Sequence, residues 1–250
     1  MPASFSMSMA QLDVVLERLG LGRFVLPFQI PTVGTTITER ERHCEQIWAE
    51  LADRGFARGG ELLRDYEETL RLWATADFAV TLEAHEVEQD AEYLYRGTWD
   101  RRLGVVSQQR GFDILFESVY PDQVVPVLLD NLPSLQPFPG RVMTSSTLPP
   151  AKRPDDPFDE DPNNLRLGDA GRFFEYPLAR LGTVAITLRD DRGKPQQKSV
   201  QWFDSVQGRF MLTTDRFPDG EIRRTFTPTN GSHVARWIHD LVEAARVGSA

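Results

Sequence analysis

Four carboxylates, Glu83, Glu86, Glu88 and Asp90, crowd the end of one strand-like run. Paired carboxylates are the residue types that act as acid and base in glycoside hydrolysis. On an extended chain Glu86, Glu88 and Asp90 share one face and Glu83 takes the other. A hydrolase working through Glu86 and Glu88 requires one carboxyl to titrate well above about 4.3, through burial or a like-charged neighbour. A solvated strand end in an acidic protein accounts for the same cluster without chemistry.

Other reactive constellations each lack a member. His43, Cys44 and Glu45 are consecutive, and consecutive helix residues point about 100° apart, too far to close on one ion. His85-Glu86 lacks the second histidine of H-E-x-x-H, and His233 and His239 fall on different faces of the last helix. Asn230-Gly231-Ser232-His233 is not G-x-S-x-G, and Ser232 reads as a helix N-cap. Gly20-Leu21-Gly22-Arg23-Phe24-Val25 carries valine where a dinucleotide fingerprint needs its third glycine, and no Walker lysine follows. Cys44 is the single cysteine, so an intrachain disulfide is impossible. The expectation is a protein without catalytic residues, metal or cofactor.

The elements around these residues are those of a globular protein. The chain has 250 residues, 40% hydrophobic, with a formal charge of -9. That balance opposes a nucleic-acid partner, because neutralising phosphates needs a basic face. Helix 38–54 is no exception, since Glu39, Glu41, Glu45 and Glu50 cancel Arg40, Arg42 and Arg54. No run reaches the roughly 18 apolar residues of a membrane span, and residues 1–16 lack the basic head and apolar middle of a secretory signal. A cytoplasmic location is expected.

Helical spacing marks residues 9–19, a helix opened by Thr38 and Glu41 as a capping box, and a third over 61–74. From Asp77 the period becomes two, giving strands near 78–82, 92–96, 103–107 and 112–116, then a helix over 121–132. Residues 137–164 are rich in Pro, Ser, Asp and Asn, and read as an acidic connector most charged at 154–164.

The second half repeats the first. Residues 184–188 match 78–82 at an offset of 106, Met211, Leu212 and Thr213 match Val105, Val106 and Ser107 at 106, and Val234 and Ile238 match Val124 and Leu128 at 110. The expected fold is α+β, a quasi-two-fold duplicated unit of about four strands plus a helix in each half. Its central antiparallel sheet is flanked by helical bundles, because two four-stranded copies can cover each other's open edges and apolar faces. The halves are expected at about 9–136 and 165–247.

Aromatic residues concentrate in the second half. Trp202 and Phe203 are adjacent, so on a strand they point to opposite faces, and Ser205-Val206-Gln207-Gly208 makes a hairpin turn. One ring belongs to the core; the other needs cover, from the protein's own helix or from a partner.

At Val200-Gln201-Trp202-Phe203-Asp204-Ser205-Val206-Gln207-Gly208-Arg209-Phe210 the sequence resembles the EspG family, chaperones of actinobacterial type VII (ESX) secretion, which carry a W-F-D-x-x-x-G-R-Y/F hairpin near the C-terminus. Leu19-Gly20-Leu21-Gly22 with Leu26-Pro27-Phe28, the helix ending Asp53-Arg54-Gly55-Phe56, and Arg189-Asp190-Asp191-Arg192-Gly193 are similar to further family segments in the same order. The resemblance implies a quasi-two-fold α+β fold. It also implies a cytosolic chaperone that binds the PPE subunit of a PE/PPE heterodimer and keeps its apolar helical tip soluble before export. That task needs an apolar groove in an acidic body rather than a reaction. The C-terminal half is the expected groove, with Trp202, Phe203, Asp204, Arg209, Met211, Trp237 and Leu241 as partner-binding residues. The competing expectations are the Glu86/Glu88 hydrolase and a structural subunit acting only as an oligomer.

Overall fold

The computed structural model describes residues 4–147, 168–189 and 195–248. The charged part of the connector, 154–164, and the turn at 190–194 lie outside the described residues. Strand β1 (Ser4–Ser8) opens the chain, burying Phe5 and half-burying Ser6 and Ser8. Ser8 caps α1 (Met9–Arg18) in a reciprocal box with Gln11. A short hairpin, β2 (Phe24–Val25) and β3 (Phe28–Gln29), leads to α2 (Ile37–Asp53).

The cap of α2 is Thr36 with Glu39, two residues before the expected Thr38 and Glu41. The Glu39 carboxylate accepts from the Thr35 N–H, the Thr35 hydroxyl and the Thr36 N–H, which fixes the helix start there. β4 (Ala57–Arg58) and β5 (Glu61–Leu62) pair across Gly59 and Gly60, both at positive φ. For that reason α3 (Arg64–Thr75) begins three residues later than its periodicity suggests.

The remaining strands are β6 (Phe78–Glu86), β7 (Ala91–Trp99), β8 (Gly104–Arg110), β9 (Asp113–Val119), β10 (Met143–Thr147), β11 (Leu178–Arg189), β12 (Pro195–Ser205), β13 (Gly208–Arg216) and β14 (Ile222–Pro228). With β1 they form one ten-stranded antiparallel sheet in the order β1-β9-β8-β7-β6-β11-β12-β13-β14-β10. A 3-10 turn, Pro121–Gln123, precedes α4 (Val124–Leu129), a second, Gly168–Phe174, precedes β11, and α5 (Gly231–Gly248) closes the chain. The first ten or so residues of the expected connector are therefore built into the fold: Pro137 bridges to Arg209, Phe138 is buried, and β10 follows.

Three apolar clusters hold the sheet. On one face α1, α2 and α3 pack Leu12, Leu16, Leu51, Leu70 and Trp73 against Val105, Ile114 and Phe116. On the other, α4 and α5 pack Val124, Leu128, Val234 and Ile238 against Val80, Leu82, Val184, Ile186, Val200 and Trp202. The third cluster, Phe138, Phe173, Phe210 and Phe226, lies at the C-terminal end of the sheet. Helix α4 sits close because Gly97 and Gly104 have no side chain: a Cβ there would stand 2.6 and 2.4 Å from the Val124 methyls.

Candidate partner-binding surface

Trp202 and Phe203 point to opposite faces, as adjacent strand residues must. Trp202 is fully buried under α4 and α5, its ring lying across Gly182, where a Cβ would meet the Glu83 carbonyl oxygen at 2.1 Å and the indole at 2.6 Å. Phe203 stacks on Phe210 at 5.0 Å and is met edge-on by Phe174 at 5.7 Å, so the protein's own 3-10 turn supplies part of its cover.

Asp204 and Arg209 stand directly opposite each other on β12 and β13. Arg209 donates from Nε to Asp204 Oδ1 at 2.6 Å and from Nη2 to Asp204 Oδ2 at 2.9 Å, a bidentate pair with both side chains buried. Its Nη2 also reaches the Pro133 carbonyl oxygen at 3.0 Å, and the guanidinium lies 4.9 Å from the Trp202 ring. The main chain adds Arg209 N–H to Gln136 O and Phe138 N–H to Arg209 O, both 2.9 Å. Gly208, at φ 133, permits this approach, since a Cβ would stand 2.5 Å from Gln136 O. The motif is thus a buried clamp that ties the hairpin to the segment after α4.

The clamp continues sideways as a row of alternating charge. Arg180 of β11 pairs in register with Glu86 of β6 and with Asp204 of β12. It donates from Nη2 to Glu86 Oε1 at 3.1 Å and approaches Asp204 Oδ2 at 3.8 Å. Glu86, Arg180, Asp204 and Arg209 therefore cross the seam between the two halves of the sheet.

Above Arg209 opens a groove of about 670 Å³ between the end of α4 and the start of α5. Its walls are Pro126, Leu129, Leu132, Pro133 and Leu135 on one side and Asn230, Gly231, Ser232 and Ala235 on the other. Asn230, not Ser232, caps α5, its Oδ1 accepting the His233 N–H at 3.1 Å. The β6–β7, β8–β9 and β12–β13 turns lie at this same end of the sheet, and each exposes an apolar residue: Val87, Phe112 and Val206. Strand spacing separates these tips by about 10 and about 14 Å.

Of the seven residues expected to touch a partner, Trp202, Asp204, Arg209 and Met211 are buried, and their visible role is framework. Phe203, Trp237 and Leu241 are half-buried, the last two packing against the α4/α5 core. Sequence reasoning missed the wall at 126–135, whose signal was an apolar run broken by Pro126 and Pro133.

The carboxylates do not assemble as a pair. Glu86 is engaged by Arg180 and by the Tyr93 hydroxyl, and Glu88 is exposed in the turn. Glu83 faces the opposite side of the sheet and is exposed; its carboxyl is raised by partial desolvation at the sheet surface and then by Glu92. Among the described residues no group of three or more His, Cys, Asp or Glu could hold a metal ion, and no helix is long and apolar enough to cross a membrane.

A family model described as the EspG family matches residues 8–240. The chain belongs to the EspG family. No curated protein matches it. Among solved structures, this EspG-family chain is similar to the Mycobacterium tuberculosis type VII secretion system chaperone EspG5, solved in complex with a PE25-PPE41 dimer. The identity is 11%, 94% of each chain is covered and the TM-score is 0.62, a likeness of fold.

Proposed function

We propose that this EspG-family chain is a cytoplasmic chaperone of a type VII (ESX) secretion system. It binds the PPE subunit of a PE/PPE heterodimer, shields an apolar helical tip and keeps the pair soluble before export. The observation that carries this reading is the family match over 8–240; the fold shared with EspG5, which was solved with a PE/PPE dimer, supports it.

The docking surface is the groove between α4 and α5 together with the apolar tips beside it; Trp237 and Leu241 lie farther along α5, and Phe203 packs on the opposite face of the sheet. The groove, about 670 Å³ and walled by Leu129, Leu132, Leu135 and Ala235 among polar residues, offers apolar contact to a partner's helix. Trp202, Asp204, Arg209 and Met211 hold its floor in place. No step of this task requires a reaction or a cofactor.

The sheet order supports a duplicated unit: β6–β9 with α4 on one side of the β6/β11 seam, β11–β14 with α5 on the other. The two pseudo-repeats span about 9–136 and 165–247, joined by 137–164.

Ala235→Arg places a long cation in the groove wall without touching the clamp. Co-expressed with the PE/PPE pairs of the same genome, the native chain is expected to co-elute with one pair on size exclusion. Ala235→Arg should keep its circular dichroism spectrum and lose the pair. A folded variant that still co-elutes removes the groove from the interface.

A further inference from the structure

At the end of the sheet away from the groove, where β6 starts and β7 turns into β8, lies a second cleft of about 1080 Å³, larger than the groove itself. Leu72 from the last turn of α3, Phe78, Trp99 and Leu103 give it an apolar lining, with the Phe78 and Trp99 rings stacked at 5.8 Å. Leu72, Phe78 and Leu103 are only half-buried, so the protein's own packing leaves part of their surface open. The charges around this lining are unevenly satisfied. Glu68 pairs with Arg64 at 2.7 Å and Arg71 with Glu67 at 2.8 Å. Asp100 accepts the Arg102 N–H at 2.6 Å and the Leu103 N–H at 2.8 Å, which closes the β7–β8 turn, and Asp77 is engaged as well. Arg101 and Arg102, in that turn, are exposed, and among the described residues neither side chain meets a carboxylate. What the cleft leaves unneutralised is therefore cationic, in a chain whose net charge is -9.

We propose that this cleft docks an acidic, partly apolar segment of a partner protein. Apolar side chains of that segment lie on Leu72, Phe78 and Leu103, and its carboxylates meet Arg101 and Arg102 at the rim. A guanidinium takes a carboxylate bidentately, and an apolar centre with a charged rim is the composition of a protein contact. The volume exceeds the roughly 300–1,000 Å³ of small-molecule sites, which favours a peptide as occupant. A flat anionic membrane does not fill a concave cleft, and the charge of -9 opposes its approach. β6 is 9 residues long, so this cleft and the α4/α5 groove stand about 30 Å apart, at opposite ends of one strand. One chain can hold a partner at each, and binding here does not depend on what fills the groove.

The test is fluorescence anisotropy of a labelled peptide, Asp-Leu-Glu-Phe-Asp-Leu-Glu, titrated with the full chain. Two control peptides accompany it, one with Asn and Gln in place of the acids and one with Gly in place of Leu and Phe. The acidic apolar peptide should bind at least about tenfold more tightly than either control, and more weakly as salt rises. Its binding should raise hydrogen-exchange protection at the end of α3 and in the β7–β8 turn. The double variant Arg101→Glu, Arg102→Glu should lose about tenfold or more in affinity with an unchanged circular dichroism spectrum, because both side chains are exposed. Equal affinity for the three peptides, undiminished binding by the double variant, or protection confined to other elements overturns the proposal. So does a native chain that ignores the peptide but binds vesicles of phosphatidylserine and phosphatidylcholine, which gives the two arginines to a membrane instead. Co-elution with PE/PPE is read separately and should be the same for the native chain and the double variant, so failure of the chaperone reading and of this one are distinguishable.

Discussion

Asp204 and Arg209 form a bidentate ion pair at the buried end of the hairpin, with Arg180 a more distant second partner of Asp204 at 3.8 Å. Removing one therefore strands the other in a poor solvent. Asp204→Ala should cost about 3–5 kcal/mol in urea unfolding, while the double variant with Arg209→Ala should cost less than the sum of the singles. Additive losses would mean that the two do not act as a pair. A second residue-scale effect is acid sensitivity. Hydrogen bonding from Arg40, then its charge and the bond from Arg23, hold the Glu17 carboxyl below its ordinary 4.5. A carboxyl depressed in the folded state stabilises at pH above its ordinary value and loses that contribution as pH falls below it. Glu17→Gln should thus unfold less steeply than the native chain as the pH drops below 4.5, with a small difference at neutral pH because Glu17 is largely exposed. An unchanged acid slope would remove Glu17 from the account. The residue types of the Trp202 to Phe210 motif were legible in the sequence, but not which way they face. Alternation puts Trp202 and Phe203 on opposite sides without saying which side α5 covers, and so Trp202 and Arg209 were assigned to a partner when they serve the core.

At the scale of elements, approach distances are set by glycines. Gly182 lies beneath the Trp202 ring and beside the Glu83 carbonyl, neither of which can move without disturbing β6 or β12. Gly182→Ala should lower stability by about 1–3 kcal/mol or more, whereas Gly22→Ala, with open space around its Cβ, should change it by well under 1 kcal/mol. Equal losses at both would contradict the packing described for β11. Stretches beginning at Phe78, Glu92, Leu103 and Phe112 were readable because their β-branched and aromatic residues are bounded by turn signals, although β6, β7 and β8 are buried on both faces. β10 was not, since Thr144, Ser145 and Ser146 are polar on both faces and an edge strand is specified by its partner β14 rather than by its own pattern. The 3-10 turn at Gly168–Phe174 was missed for a related reason: its order comes from packing Phe173 on Phe210 and Phe226, contacts remote in sequence.

For the whole molecule, a net charge of -9 accompanies the apolar residues Val87, Phe112 and Val206 exposed at the turns beside the groove. Helix-in-groove binding buries apolar area on both sides, so the partner's solubility, not a turnover rate, is the quantity that should depend on this chain. Chain-wide order was legible in sequence because the switch from helical spacing to period two near Asp77 separates the helices from the strands that follow. The groove was not, because its walls at Leu135 and Ala235 are about a hundred residues apart and come together only through the packing of α4 on α5 and the Arg209 clamp. The most direct measurement is the fraction of each PPE protein of the same genome found in the soluble phase when its PE/PPE pair is expressed with and without this chain. One pair should move from pellet to supernatant in the presence of the native chain and remain in the pellet with Ala235→Arg. If no pair changes its solubility although the chain itself is folded and abundant, the chaperone account is contradicted.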